Sequence, residues 1–110
     1  MIRLAEYDDL FDIYKLVCVL ESIPLNYDHF KSIYVKELKN QDSYFYVYVE
    51  DDKVLGFISL YVNEFLHHDG KTGEIAELVV DQNHRGEGIG SDMISFIIQM
   101  VLNTQANVSA

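Results

Sequence analysis

The chain holds 110 residues, 49% hydrophobic and 24% charged, the balance of one folded domain over residues 1–110 rather than a disordered segment or two domains. Its 18 acidic groups against 8 basic ones leave a formal charge of -10, which repels nucleic acid at long range. The same field attracts a cationic small molecule such as an amine, although acidity also serves solubility, and charge alone does not choose between the two.

No apolar run approaches the roughly 20 residues of a bilayer span, and Met1-Ile2-Arg3-Leu4-Ala5-Glu6 lacks the layout of an export signal, which excludes membrane and secreted classes. The single Cys18, set among Leu16, Val17, Val19 and Leu20, reads as a buried thiol in a reducing compartment, so a cytoplasmic protein is expected.

In chain order, Ile2 to Leu4 is a short β-prone start, and Glu6-Tyr7-Asp8-Asp9 supplies the acidic first turn of a helix. Leu10, Ile13, Tyr14, Val17, Cys18 and Leu20 recur at three- and four-residue steps, giving that helix one apolar face to about Leu20. Pro24 breaks the pattern. A second helical period runs through Tyr27, Phe30, Ile33, Tyr34 and Leu38, closing near Lys39-Asn40. Ser43 to Glu50 is an aromatic and β-branched run typical of a strand, and Asp51-Asp52-Lys53 is a hairpin-sized gap before a strand from Val54 to about Val62. A longer connection, Asn63 to Gly73, precedes a third strand from Glu74 to Val80, so the three form an antiparallel meander. From Gly88 the pattern is helical again, with Ile89, Met93, Phe96 or Ile97, Met100 and Val101 on one stripe.

The stretch Val79-Val80-Asp81-Gln82-Asn83-His84-Arg85-Gly86-Glu87-Gly88-Ile89-Gly90 places a strand, a glycine-rich turn and a helix in succession, the geometry of an anion cradle. Glycines let the main chain approach a phosphate, and the helix N-terminus adds partial positive charge worth up to about 2 kcal/mol. No Gly-Lys-Ser or Gly-Lys-Thr follows, which excludes the nucleotide-hydrolase phosphate loop. Two helices and a meander come first, which argues against a dinucleotide fold. An ordinary strand-to-helix turn is the remaining bland alternative.

Arg85-Gly86-Glu87-Gly88-Ile89-Gly90 resembles the Arg/Gln-x-x-Gly-x-Gly/Ala signature of the GCN5-related N-acetyltransferases (GNAT family). The order strand, two helices, three strands, signature helix matches that family's α+β fold, a mixed, mostly antiparallel sheet flanked by helices. The resemblance implies acetyl-coenzyme A as cosubstrate, with its pyrophosphate on the main chain of Gly86, Glu87, Gly88, Ile89, Gly90 and Ser91 beside Arg85, and its pantetheine arm along Leu78, Val79 and Val80. Phe65-Leu66-His67-His68 followed by Gly73-Glu74-Ile75-Ala76-Glu77-Leu78-Val79-Val80 is similar to aminoalkylphosphonate N-acetyltransferases, without settling the acceptor.

The implied reaction is direct acetyl transfer to a primary amine of a small molecule. It needs a base to collect the amine proton, and Glu74 and Glu77 are the candidates. Three residues apart on one strand, they face opposite sides under strict alternation unless a bulge intervenes. Glu74 falls on the position that resembles the family's catalytic glutamate and is preferred, with Glu77 in reserve. The resemblance also implies a main-chain N–H near Leu78 or Val79 for the developing oxyanion, and a helical pair whose Tyr27 and His29 line the acceptor pocket, Tyr27 mainly by packing. Adjacent in sequence, His67 and His68 point apart in an extended segment and make no two-ligand metal site by themselves. One of them facing the cleft would orient the acceptor, relay its proton, or help hold a divalent ion with Asp69 or a glutamate. No metal is assigned.

Family members continue with a strand, a helix and a closing hairpin, where this sequence ends at Ala110. The expectation is therefore a fold without that β-α-β-β part, no assignable general acid, and an open edge at Leu78-Val79-Val80 covered by a homodimer or strand-exchanged assembly. The rival function is an impaired module that binds coenzyme A or self-associates.

Overall fold

A computed structural model describes residues 1–64, 66, 70–104 and 107–109. The elements run β1 (Ile2–Leu4), α1 (Leu10–Glu21), α2 (Tyr27–Leu38), β2 (Ser43–Glu50), β3 (Lys53–Glu64), β4 (Lys71–Val80), α3 (Ile89–Thr104) and β5 (Asn107–Ser109), with single 3-10 turns at Tyr7–Asp9 and Gln82–His84. Strands β1 to β4 pair antiparallel in sequence order, and β5 adds to β4 in parallel, opposite Thr72–Glu74. The expected element order holds through α3. Past α3 a strand that was not expected, β5, covers the first part of β4, while among the described residues no strand pairs with that edge beyond Glu74, so Leu78-Val79-Val80 is open there as expected. A three-residue strand is too short to leave a period in the sequence.

The sheet separates two cores. On one face α1 and α2 pack through Leu10, Ile13, Leu16, Val17 and Tyr34 against Phe45, Val47, Phe57 and Val79. On the other, Ile89, Met93, Ile97 and Val101 of α3 cover Leu55, Ile58 and Leu60. Burying each such side chain stabilises the fold by about 1.5–3 kcal/mol. The α3 stripe resolves in favour of Ile97, Phe96 being exposed. On α1, Leu16 takes the buried place expected of Leu20, which is exposed in the last turn. Cys18 is half-buried rather than buried, and its Sγ lies 3.5 Å from the Leu25 N–H.

Asp9, 6% exposed, ties β1 to α1: Arg3 donates to its two oxygens at 2.8 and 3.0 Å, and the Glu6 N–H donates at 2.7 Å. At the β2–β3 hairpin Asp51 and Asp52 both take positive φ, 51° and 61°, the twist that a two-residue turn needs. No helix among the described residues is long and apolar enough to cross a membrane.

Candidate active site

The register between β3 and β4 decides where the two glutamates point. Ser59 pairs with Glu77 and Leu60 with Ile75, so Ala76 is an extra residue on β4 and the strand bulges there. The bulge cancels the strict alternation: Glu74, opposite Tyr61, and Glu77, opposite Ser59, both lie on the face that packs under α1 and α2. Only Glu77 lines the cavity on that face; Glu74 is exposed and outside it.

Glu77 is held by Ser59, which is fully buried in the middle of β3. The Ser59 hydroxyl donates to Glu77 Oε1 and accepts the Glu77 main-chain N–H at 3.0 Å. A hydrogen bond to a charged group contributes about 1.5–3 kcal/mol, enough to fix the carboxylate in one orientation.

The cavity measures about 320 Å³, the lower end of the size that suits a small organic ligand. Phe30, Ile33 and Tyr34 of α2 and Phe45, Phe57 and Tyr61 of the sheet form much of its wall. Glu21 at the end of α1, with Asn26 and His29 at the start of α2, supplies a polar side. Asn26 caps α2 by accepting the His29 N–H at 2.9 Å, and Tyr14 donates to the Leu25 carbonyl, so the loop between the helices is pinned beside the cavity. Burial, with the charges of Glu77 and Glu37, pushes the Tyr61 phenol up to about 12, so it keeps its proton at neutral pH.

Beyond Glu77 the strand presents its main chain to the outer edge. The N–H groups of Glu77 and Asp81 point toward β3, to Ser59 Oγ at 3.0 Å and the Leu55 carbonyl at 2.7 Å. By strand alternation those of Leu78 and Val80 point away from β3, to the edge that β5 leaves uncovered. The turn that follows holds Gly86 at φ +84° and Gly88 at φ +86°, conformations that side-chain-bearing residues rarely adopt. A Cβ built on either would meet nothing within 4 Å. Glycine is therefore required here for backbone conformation, and open space lies in front of the main chain. Asp92 N–H closes the first turn of α3 on the Gly88 carbonyl at 3.0 Å, which leaves the N–H groups of Ile89, Gly90 and Ser91 as the orphan donors of a 16-residue helix. The turn is braced from within: His84 Nδ1 sits 3.3 Å from Glu87 Oε1, and Arg85 Nε reaches back toward the Val80 carbonyl at 3.5 Å. These features fit a diphosphate held by main-chain hydrogens.

Of the expected acceptor residues, His29 lines the cavity. Tyr27 does not; it packs edge-on to Tyr14 with ring centroids 5.0 Å apart. His67, His68 and Asp69 lie outside the described residues. Sequence reasoning passed over Ser59 and Glu21. A hydroxyl in the middle of the apolar run Val54–Val62 was the available signal for the first; for Glu21, on the polar side of α1, there was none.

Residues 7–109 match the model of the Acetyltransferase (GNAT) family. Among characterised relatives, the aminoalkylphosphonate N-acetyltransferase of Salmonella typhimurium is 33% identical over 95 residues, covering 86% of this chain and 62% of that protein, so the chain spans about three-fifths of its length. Three solved structures show the same fold at low identity. They are a transcriptional regulator from Bacillus halodurans (TM-score 0.90, 17% identity, 100% of this chain and 81% of that one), a GNAT family acetyltransferase from Staphylococcus aureus (0.85, 16%, 100% and 85%), and a predicted acetyltransferase with acetyl-CoA from Clostridium acetobutylicum (0.82, 18%, 99% and 78%). With a family match over nearly its whole length, the chain belongs to the GNAT acetyltransferase family.

Proposed function

We infer that the protein transfers the acetyl group of acetyl-CoA to a primary amine of a small molecule, with Glu77 as general base. The observation that carries this reading is that one strand, β4, delivers a carboxylate into an amine-sized cavity and runs on to a positive-φ glycine turn at a helix N-terminus. Acetyl-CoA supplies the thioester whose C–S bond breaks as the N–C bond forms. The N–H groups of Ile89, Gly90 and Ser91, with the main chain of Gly86, Glu87 and Gly88, would hold its diphosphate, Arg85 bracing the turn. The pantetheine arm would lie along Leu78, Val79 and Val80, taking the outer-edge groups of Leu78 and Val80.

Most alkyl amines are protonated near neutral pH, so the nitrogen must lose a proton before it attacks. Glu77, aimed by Ser59, takes that proton directly or through one water. The Leu78 N–H, directed to the outer edge, is placed to donate to the carbonyl oxygen as negative charge develops there. Glu74, on the same face but outside the cavity, has no part in this scheme. No protein nucleophile is required.

The test combines calorimetry with acetyl-CoA and a thiol-release assay over an amine panel. Binding with amine-dependent thiol release is expected. Binding without turnover would instead favour an impaired coenzyme A-binding module, and no binding would refute both.

A further inference from the structure

The chemistry of the cavity selects among amines. Phe30, Tyr34, Phe45 and Phe57 form one continuous wall, successive ring centroids lying 6.4, 5.8 and 5.4 Å apart. The Tyr34 hydroxyl is already engaged, donating to the Glu6 carbonyl at 2.6 Å, so only its ring is offered. Among the described residues the carboxylates on the cavity are Glu21 and Glu77, and the imidazole is His29.

None of the eight Lys and Arg side chains in the sequence lines it. Arg3 is held by Asp9, Lys15 by Asp12 and Lys71 by Glu64, while Arg85 belongs to the glycine turn. A phosphonate entering this space would lose water and meet two carboxylates, and one imidazole does not neutralise a dianion against them. An ammonium on an apolar tail exchanges its water for carboxylates and aromatic faces.

We propose that the acceptor is a primary amine on an aliphatic or aromatic tail with no anionic group, and that Glu21 is the residue that excludes anionic amines. This rests on the acetyl-transfer reading of the same site. It sets the chain apart from its relative in acceptor, since an aminoalkylphosphonate carries the group this cavity disfavours.

The experiment compares phenethylamine with aminoethylphosphonate, by thiol release and by calorimetric binding, in the wild type and in Glu21→Lys. Glu21 is exposed, so the variant is expected to fold. The wild type should favour phenethylamine by at least about 100-fold in kcat/KM, and Glu21→Lys should narrow that ratio by at least about 10-fold. Equal or reversed preference, or a ratio unchanged in Glu21→Lys, overturns the proposal. Phenethylamine binding that keeps the preference while neither amine releases thiol would refute acetyl transfer and uphold the selectivity. Phosphonate binding as tight as that of phenethylamine would refute the selectivity whatever the turnover.

Discussion

Replacing each of the two β4 glutamates by glutamine separates the base from its neighbour. In Glu77→Gln the proposed general base is lost, which should cost about 100- to 10,000-fold in rate, or about 3–5 kcal/mol of transition-state stabilisation. The fold should barely notice. The carboxamide keeps an oxygen for the Ser59 hydroxyl, and the main-chain bond from residue 77 to Ser59 Oγ at 3.0 Å is untouched, so stability should change by less than about 1 kcal/mol. Glu74→Gln alters an exposed side chain across from Tyr61 that does not reach the cavity, an effect of about 0.5 kcal/mol or less, roughly twofold in rate. Thiol release at saturating acetyl-CoA and a fixed amine, with urea melts of all three proteins, gives both numbers. A larger loss in Glu74→Gln than in Glu77→Gln, or a Glu77→Gln enzyme within about threefold of wild type, would refute the assignment drawn from the bulge at Ala76.

Ser59→Ala removes the hydroxyl that aims Glu77 and leaves the half-buried Glu77 N–H without that partner beside the fully buried position 59; a loss of about 1–3 kcal/mol in urea unfolding is expected, with kcat falling at least about tenfold while acetyl-CoA affinity holds. Asp9→Asn should cost about 2–3 kcal/mol near neutral pH, less than for a fully buried pair because the Arg3 side chain keeps 30% of its surface in solvent. Burial alone would raise the Asp9 carboxyl, but the Arg3 and Glu6 hydrogen bonds outweigh it and hold it below the usual carboxylate range. Its contribution is therefore present above the unfolded aspartate value of about 3.9 and is lost as pH falls through the lower folded value, so the gap between wild type and Asp9→Asn should close in acid melts.

The fold was legible because its long elements carry clean periods: the Ile89–Met93–Ile97–Val101 stripe of α3 and the aromatic run of β2 leave little choice of structure. The glycine turn was legible too, since glycines at 86, 88 and 90 after an apolar strand mark a strand-to-helix turn with positive φ. What the sequence hid was register. Whether Glu74 and Glu77 share a face depends on one extra residue, Ala76, and alanine carries no signal for a bulge; it arises from pairing with a strand some fifteen residues away. Ser59 stayed hidden for the same reason, because its value lies in being opposite Glu77. Asp9 reads as one more acidic residue of a helix start, and only its contact with Arg3 across the β1–α1 turn explains its burial.

The measurement closest to the centre of this account is the calorimetric affinity for acetyl-CoA of Gly88→Val against wild type, with both melts recorded. Valine at a φ of +86° costs about 1–3 kcal/mol of backbone strain and pulls the main chain from its place at the mouth of α3. The account predicts a folded variant whose affinity is at least about tenfold weaker. A folded Gly88→Val protein that binds acetyl-CoA as tightly as wild type would contradict it.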